Sequence, residues 1–315
     1  MPISRRAFAL LASCGLLLAQ NATPPGVPPN VKMPPMPKAG ICPIQPLPAL
    51  PEYADTTFYA VKDVPHGTIE KATYKNFEGQ DKRMHVYLPP GYEKHPDVRY
   101  PVLFLNHGGG ADDSAWVNTH LIHGGFVAAI LDNLIAAGKA KPMIVVMPNT
   151  RELATLKVSK PGEDDRCTQE YLKNIIPYVD GHYRTKANRA NRALAGLSMG
   201  GAVVMNVGLP HLDTFSELFV YSSGYFPDEI PAFEANYGAL LRETKTNDLL
   251  RVPFYLATGE TDIARANANN VVSLMLKWQV KTHYVFSSGG HDWANWRRYL
   301  YQTAQIMFPD CGEKP

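Results

Sequence analysis

Cysteine is scarce in this chain: four residues in 315, at positions 14, 42, 167 and 311, with no Cys-x-x-Cys pair. That spacing excludes zinc-ribbon and thiol-redox chemistry. An excess of one charge is also missing. Lys and Arg number 31 against 29 Asp and Glu, and the surplus pair, Arg5 and Arg6, lies in the first ten residues. The remainder is balanced, which leaves no basic field for nucleic acid and no basic cluster for a membrane surface. The N-terminal apolar run, residues 7–19, is too short to span a bilayer comfortably. No internal repeat is visible. What is present is 45% apolar residues, enough for one large α/β domain with a normal core, plus extensions.

The first segment reads as an export signal over residues 1–22. Ser4-Arg5-Arg6-Ala7-Phe8-Ala9-Leu10 resembles a twin-arginine motif and is followed by the apolar run. Leu11-Ala12-Ser13-Cys14 also resembles a lipobox, which would put a lipid anchor on Cys14. Apolar residues continue past it, however, which favours ordinary cleavage near residues 19–22. The implied setting is periplasmic or secreted, without stable membrane insertion. Residues 23–52 hold eleven of the chain's 27 prolines and read as an extended linker of polyproline character. The catalytic domain is then expected over 53–312. Two readings of the remaining cysteines stand side by side. Cys42 and Cys311 flank the domain and pair in an oxidising compartment, or Cys42, Cys167 and Cys311 are all unpaired thiols.

From Tyr53 onward the pattern is that of a doubly wound α/β sheet. Residues 71–75 and 83–88 read as two early antiparallel strands. Apolar runs of strand length follow at 100–106, 143–147, 193–195, 218–221, 254–257 and 283–286. They are continuous rather than alternating, as expected of central parallel strands covered on both faces. Helical patterns lie between them, over roughly 119–137, 167–180, 200–208, 263–278 and 293–306. The expected fold class is therefore a mostly parallel sheet with an antiparallel N-terminal edge. Residues 227–247 read as an inserted cap near the active site.

The most informative motif is Gly196-Leu197-Ser198-Met199-Gly200-Gly201. Apolar residues precede and follow it, so a strand enters and a helix leaves. Gly-x-Ser-x-Gly in that setting is a nucleophile elbow, a strained turn that needs tiny residues on both sides of the serine. A serine hydroxyl is a weak nucleophile. It needs a histidine to take its proton and a carboxylate to fix that histidine's tautomer. Of ten histidines, only His211, His283 and His291 follow Ser198. His211 follows a helix and Pro210, and His283 lies inside a strand pattern. His291 sits in a glycine-containing loop between the last strand and the last helix, which makes it the base. Of the carboxylates between Ser198 and His291, only Glu260 and Asp262 closely follow a strand end, and Asp262 is the favoured acid. The oxyanion hole requires the Met199 N–H and a second donor. That donor is placed at Gly109, give or take one residue, in Asn106-His107-Gly108-Gly109-Gly110. No Gly-Lys-Ser/Thr follows these glycines, which excludes a phosphate loop.

Other signals carry bland readings. His107 is expected to be structural. His120 and His123 fit one helix face, but no third metal ligand accompanies them. Asp112-Asp113 and Glu163-Asp164-Asp165 read as solvated or capping carboxylates, and Asp292 as a helix N-terminal residue. Trp293 and Trp296 share a helix pattern and are read as half core. Trp293 also borders the substrate pocket by its nearness to His291, and Trp116 divides between core and pocket, with core favoured.

These pieces together resemble a bacterial esterase family. It takes in esterase D, the feruloyl and acetylxylan esterases of the first carbohydrate esterase family, and the enterochelin esterases. The resemblance runs from about residue 66 to 308. It rests on residues 86–92 and 105–110, on Asp164-Asp165-Arg166 with the helix to Arg184, and on the Ser198 elbow. Gly259-Glu260-Thr261-Asp262 and Gly290-His291-Asp292-Trp293 with Trp296-Arg297 complete it. It implies an α/β-hydrolase fold, nucleophile Ser198, acid Asp262, base His291, and oxyanion donors near Gly109 and at Met199. No cofactor and no metal are implied. Feruloyl esterase-like members often carry Gly-Gly-His-x-Trp before the last helix, as here. Cys167 departs from the expected aromatic or aliphatic residue. The implied activity is an exported serine carboxylesterase acting on feruloyl or acetyl esters of plant polysaccharide. Its rivals are an acyltransferase of the mycolyl-transfer type and a non-catalytic binding module on the same fold. A peptidase is less favoured.

Overall fold

The computed structural model describes residues 42–160, 162–243 and 245–311. The expected export signal and the first part of the linker lie outside the described residues. Eight strands form one sheet in the order β1-β2-β4-β3-β5-β6-β7-β8. β1 (Thr68–Lys75) and β2 (Asp81–Leu88) make an antiparallel hairpin, and β2 pairs antiparallel with β4 (Ile144–Pro148). The others run parallel: β3 (Val102–Asn106), β5 (Arg192–Leu197), β6 (Glu217–Tyr221), β7 (Phe254–Gly259) and β8 (Thr282–Ser287).

Side chains alternate between faces along each strand, and both faces are covered. Val102, Phe104, Leu194, Leu218, Val220 and Leu256 point into one core. Leu103, Leu105, Ala195, Phe219, Tyr255 and Ala257 point into the other. The second face is covered by α1 (Val127–Ala136) and α8 (Trp293–Ala304). The first is covered by α2 (Arg166–Glu170) and α3 (Ile176–His182), by α4 (Met199–Val203), and by α5 (Ile230–Arg242), α6 (Thr246–Leu249) and α7 (Arg265–Lys277). A π-turn, Tyr171–Ile175, joins α2 to α3, and another, Val204–Gly208, extends α4. This is the doubly wound α/β sheet expected, with its antiparallel N-terminal edge.

The fold departs from expectation in four places. The helix expected from residue 119 begins only at Val127. Gly125 packs on the preceding loop so closely that an added Cβ would lie 2.6 Å from Trp116 Cα. Phe126 turns the chain into the helix in a left-handed conformation, φ 54°. His120 and His123 therefore stack on a turn, ring centroids 5.4 Å apart, rather than on a helix. β8 is an edge strand, so its residues are half-exposed rather than enclosed. The described part of residues 227–247 is built into the body instead of forming a cap: Phe233, Tyr237 and Leu241 of α5 sit in the first core. Residues 42–52 are not free linker. Leu47 and Leu50 pack on the second core, and Cys42 is disulfide-bonded to Cys311. Of the two cysteine readings, the structure has the pair, with Cys167 a buried free thiol.

Candidate active site

Because β3 and β5–β8 are parallel, the loops after them emerge at one end of the sheet. Four of these loops carry the residues that the sequence singles out. Ser198 follows β5 directly, at φ 53° and ψ −122°. This is a strained conformation for a residue with a Cβ. It is held by the Ser198 N–H donating to Tyr221 O at 2.8 Å and the Gly201 N–H donating to Ser198 O at 2.8 Å. The elbow is pressed against the end of β3: a Cβ on Gly200 would lie 2.5 Å from His107 O. Only glycine fits there.

Ser198, His291 and Asp262 lie in one hydrogen-bonded row. His291 Nε2 is 2.9 Å from Ser198 Oγ, and His291 Nδ1 is 2.8 Å from Asp262 Oδ1. Ser198 and His291 are half-buried, whereas the Asp262 side chain is fully buried. Burial alone would push the Asp262 carboxyl up. Hydrogen bonding to His291 and from the Ala264 N–H (2.8 Å) outweighs that and holds it below the usual carboxylate range. Ionised Asp262 then selects the His291 tautomer with hydrogen on Nδ1, which leaves the Nε2 lone pair facing Ser198.

The glycine loop after β3 lies beside the elbow. A Cβ on Gly108 would approach Ser198 Cβ to 3.3 Å, and one on Gly109 would approach Met199 Cε to 3.3 Å. Met199 opens α4, so its N–H has no acceptor within the helix. His107 braces this loop. Its Nδ1 donates to Gly108 O at 2.8 Å, and its Nε2 accepts from the Thr150 N–H at 3.1 Å. Burial depresses its pKa, so the ring stays neutral in the tautomer these bonds need. Arg151 adds two bonds, from Nε to Ala111 O at 2.9 Å and from Nη2 to Gly110 O.

Several further residues complete the frame. Asn106 is fully buried: its Nδ2 donates to Ala195 O at 3.1 Å, its Oδ1 accepts from Tyr171 OH at 2.7 Å, and its carbonyl accepts from Trp116 Nε1 at 3.0 Å. A polar residue closing the apolar run of β3 was the available signal, since a buried amide must find partners. Asn295 donates from Nδ2 to Gly290 O at 2.9 Å and accepts from Arg298 Nη1 at 2.6 Å. Asp292 is the N-cap of α8, accepting from the Asn295 N–H at 3.1 Å. Asp113 corrects an expectation. Rather than a solvated carboxylate it is 1% exposed, with Arg83 Nε and Nη2 on its two oxygens and His85 Nδ1 2.7 Å away. That pair ties β2 to the loop beyond the glycines.

Trp293 is half-buried two residues beyond His291 and stands edge-on to Trp116 and Trp296, both at 5.1 Å. Trp116 is 1% exposed. It therefore backs Trp293 from the core and does not itself form surface: of its two readings the structure has the core one, and its place among the substrate-pocket residues is corrected. Trp296 stands edge-on to His291 at 5.1 Å. Phe226 and Ile263, in the loops after β6 and β7, are exposed apolar residues at the same end of the sheet. Glu260 and the histidines His211 and His283 stand apart from the row: His211 pairs with Asp164, and His283 lies within β8.

The family model described as "Putative esterase" matches residues 76–306. The chain belongs to this family. That places it among the esterases, and its sheet is that of an α/β-hydrolase. Among the curated relatives is an endo-1,4-beta-xylanase/feruloyl esterase of Xylanibacter ruminicola, 31% identical over 81% of this chain and 33% of the relative. Another is endo-1,4-beta-xylanase Y of Acetivibrio thermocellus, 28% identical over 77% of this chain and 23% of the relative. The chain thus spans a third or less of the length of these two relatives. A solved ferulic acid esterase superposes with a TM-score of 0.63 at 25% identity, covering 77% of this chain and 97% of that one. The feruloyl esterase module of Clostridium thermocellum, solved with sinapinate, has the same fold, with a TM-score of 0.66 at 24% identity over 86% of this chain and 99% of that one.

Proposed function

We propose that the chain is an exported serine carboxylic-ester hydrolase acting on feruloyl or acetyl esters of plant polysaccharide, with Ser198, His291 and Asp262 as its triad. The carrying observation is the row Ser198 Oγ, His291, Asp262, at 2.9 and 2.8 Å on a strained elbow. Ser198 Oγ attacks the ester carbonyl carbon while its proton passes to His291 Nε2. The oxyanion faces the Met199 N–H and the N–H of Gly109 or its neighbour Gly108. Each such donor is worth about 3–4 kcal/mol in the transition state. His291 returns the proton to the leaving alcohol, and the C–O bond breaks to leave an acyl-enzyme. Water then attacks that acyl group, giving a proton to His291, which passes it back to Ser198 Oγ as the acid departs.

The feruloyl preference is supported by the named relatives and by the apolar character of Trp293, Phe226 and Ile263 around this end of the sheet. An aromatic acyl group gains from such neighbours, whereas an acetyl group gains little. The twin-arginine-like N-terminus supports export. Hydrolysis of methyl ferulate, 4-nitrophenyl acetate and 4-nitrophenyl butyrate tests the substrate class. The expected result is the highest kcat/KM on the feruloyl ester. A preference for acetate would reassign the enzyme to acetyl esters, and transfer of the acyl group to an added sugar in preference to water would make it an acyltransferase.

A further inference from the structure

The segment whose composition reads as linker reaches the loop that carries His291. Cys42 is bonded to Cys311, joining residues 269 positions apart. Beyond it, the carbonyls of Pro48 and Pro51 accept from Gln302 Nε2 at 2.6 Å and Arg298 Nε at 2.7 Å, both on α8. Tyr53 follows the segment directly. Its hydroxyl donates to Asp292 Oδ2 at 2.7 Å. Its ring packs on the loop so tightly that a Cβ on Gly289 would meet it at 2.1 Å. The Arg298 guanidinium lies 5.8 Å from the same ring and also bonds Asn295, which in turn holds Gly290 O. Of the chain neighbours of His291, Asp292 is therefore held directly from this side by Tyr53, while Gly290 is held by Asn295 of α8, whose Oδ1 accepts from the same Arg298 that bonds Pro51 O.

We propose that residues 42–53 are a strap that positions His291, latched by the Cys42–Cys311 disulfide, and that Tyr53 is its positioning residue. The proposal rests on His291 being the base. The loop it holds, residues 288–291, runs Ser-Gly-Gly-His between the end of β8 and the start of α8. The base must sit within hydrogen-bond reach of Ser198 Oγ, and a displacement of about 1 Å at such a site can cost about 100-fold in rate. The disulfide closes the strap over α8, so reducing it loosens the restraint on His291 without altering any triad residue. In that reduction dithiothreitol gives up two electrons and closes to its cyclic disulfide, while Cys42 and Cys311 become thiols.

The test compares the full chain with Tyr53→Phe, Tyr53→Ala and Cys42→Ser on a soluble nitrophenyl ester, well below the melting temperature. Tyr53→Ala should lower kcat by about 10- to 100-fold, change KM by less than about twofold, and displace the acidic limb of the pH–kcat profile. Tyr53→Phe keeps the ring and should fall between it and the parent. Dithiothreitol should lower the parent's kcat several-fold, and reoxidation should restore it. Cys42→Ser should start low and ignore the reductant. A folded Tyr53→Ala with the parent's kcat and pH profile, and only a lower melting temperature, would overturn the proposal. If Tyr53→Ala does not fold, unchanged kcat after complete reduction of the parent overturns it equally. Failure of the triad itself reads differently: hydrolysis would then survive in Ser198→Ala.

Discussion

Ser198 occupies a backbone conformation that costs of order 1–3 kcal/mol, and what it gains is an Oγ 2.9 Å from His291 Nε2. Ser198→Ala should lower ester hydrolysis by roughly 10⁴- to 10⁶-fold, with no loss of melting temperature by calorimetry. Asp262→Asn should keep the fold and lower kcat by about 10⁴-fold, because an amide no longer selects the productive His291 tautomer. The burial that would raise the Asp262 carboxyl is outweighed by its hydrogen bonds, which hold it below the usual carboxylate range. At this scale the row was legible because each member closes a strand, in the order Ser, Asp, His. The partners that hold it were not. Asp113 lies 30 residues from Arg83 in sequence, and nothing local distinguishes a solvated carboxylate from one buried against a guanidinium. Asn295 and Tyr53 were hidden in the same way, since their partners are set by tertiary packing.

At the level of elements, the elbow and the glycine loop form one unit, since α4 starts where the end of β3 passes. Gly200→Ala would drive a Cβ to 2.5 Å from His107 O. Backbone on both sides has little room to give, so a destabilisation of about 1–3 kcal/mol is expected. Activity should fall further than the stability loss explains, and denaturant unfolding beside kinetics separates the two. Tyr171→Phe leaves Asn106 Oδ1 without its 2.7 Å donor and should cost about 1–3 kcal/mol. The central strands were legible because burial on both faces leaves continuous apolar runs. β8 is also apolar, yet half-exposed, because the pattern does not reveal which strand ends the sheet. The helix expected from 119 failed for a different reason. Its apolar spacing suits a helix, but Gly125 is needed against the Trp116 backbone, and that close approach dictates a loop.

Across the whole molecule, the N-terminal strap and the C-terminal residues meet at the Cys42–Cys311 bond, and the C-terminal end is anchored through Glu217. The Phe308 N–H lies 3.0 Å from both of its oxygens. Burial pushes this carboxyl up from 4.5 to about 8, against the lowering effect of that N–H and of Arg251, Lys141 and Arg189. The folded state thus keeps a proton that the unfolded chain releases near 4.5. The resulting stability is fully present below that pH and is lost as pH rises through about 8. Glu217→Gln should flatten the fall in melting temperature between about pH 5 and pH 9, and an unchanged fall would refute the assignment. Opening the disulfide should cost roughly 2–5 kcal/mol of stability. Composition marked residues 23–52 as linker because proline density says nothing about what Leu47 and Leu50 pack against. The central claim, that one activated serine does the chemistry, is tested most directly by intact-mass and peptide-mapping spectra after exposure to a fluorophosphonate. A single adduct on Ser198, absent from Ser198→Ala and much slowed in His291→Ala, is the expected result. No adduct, or an adduct on another residue while Ser198 stays free, would contradict it.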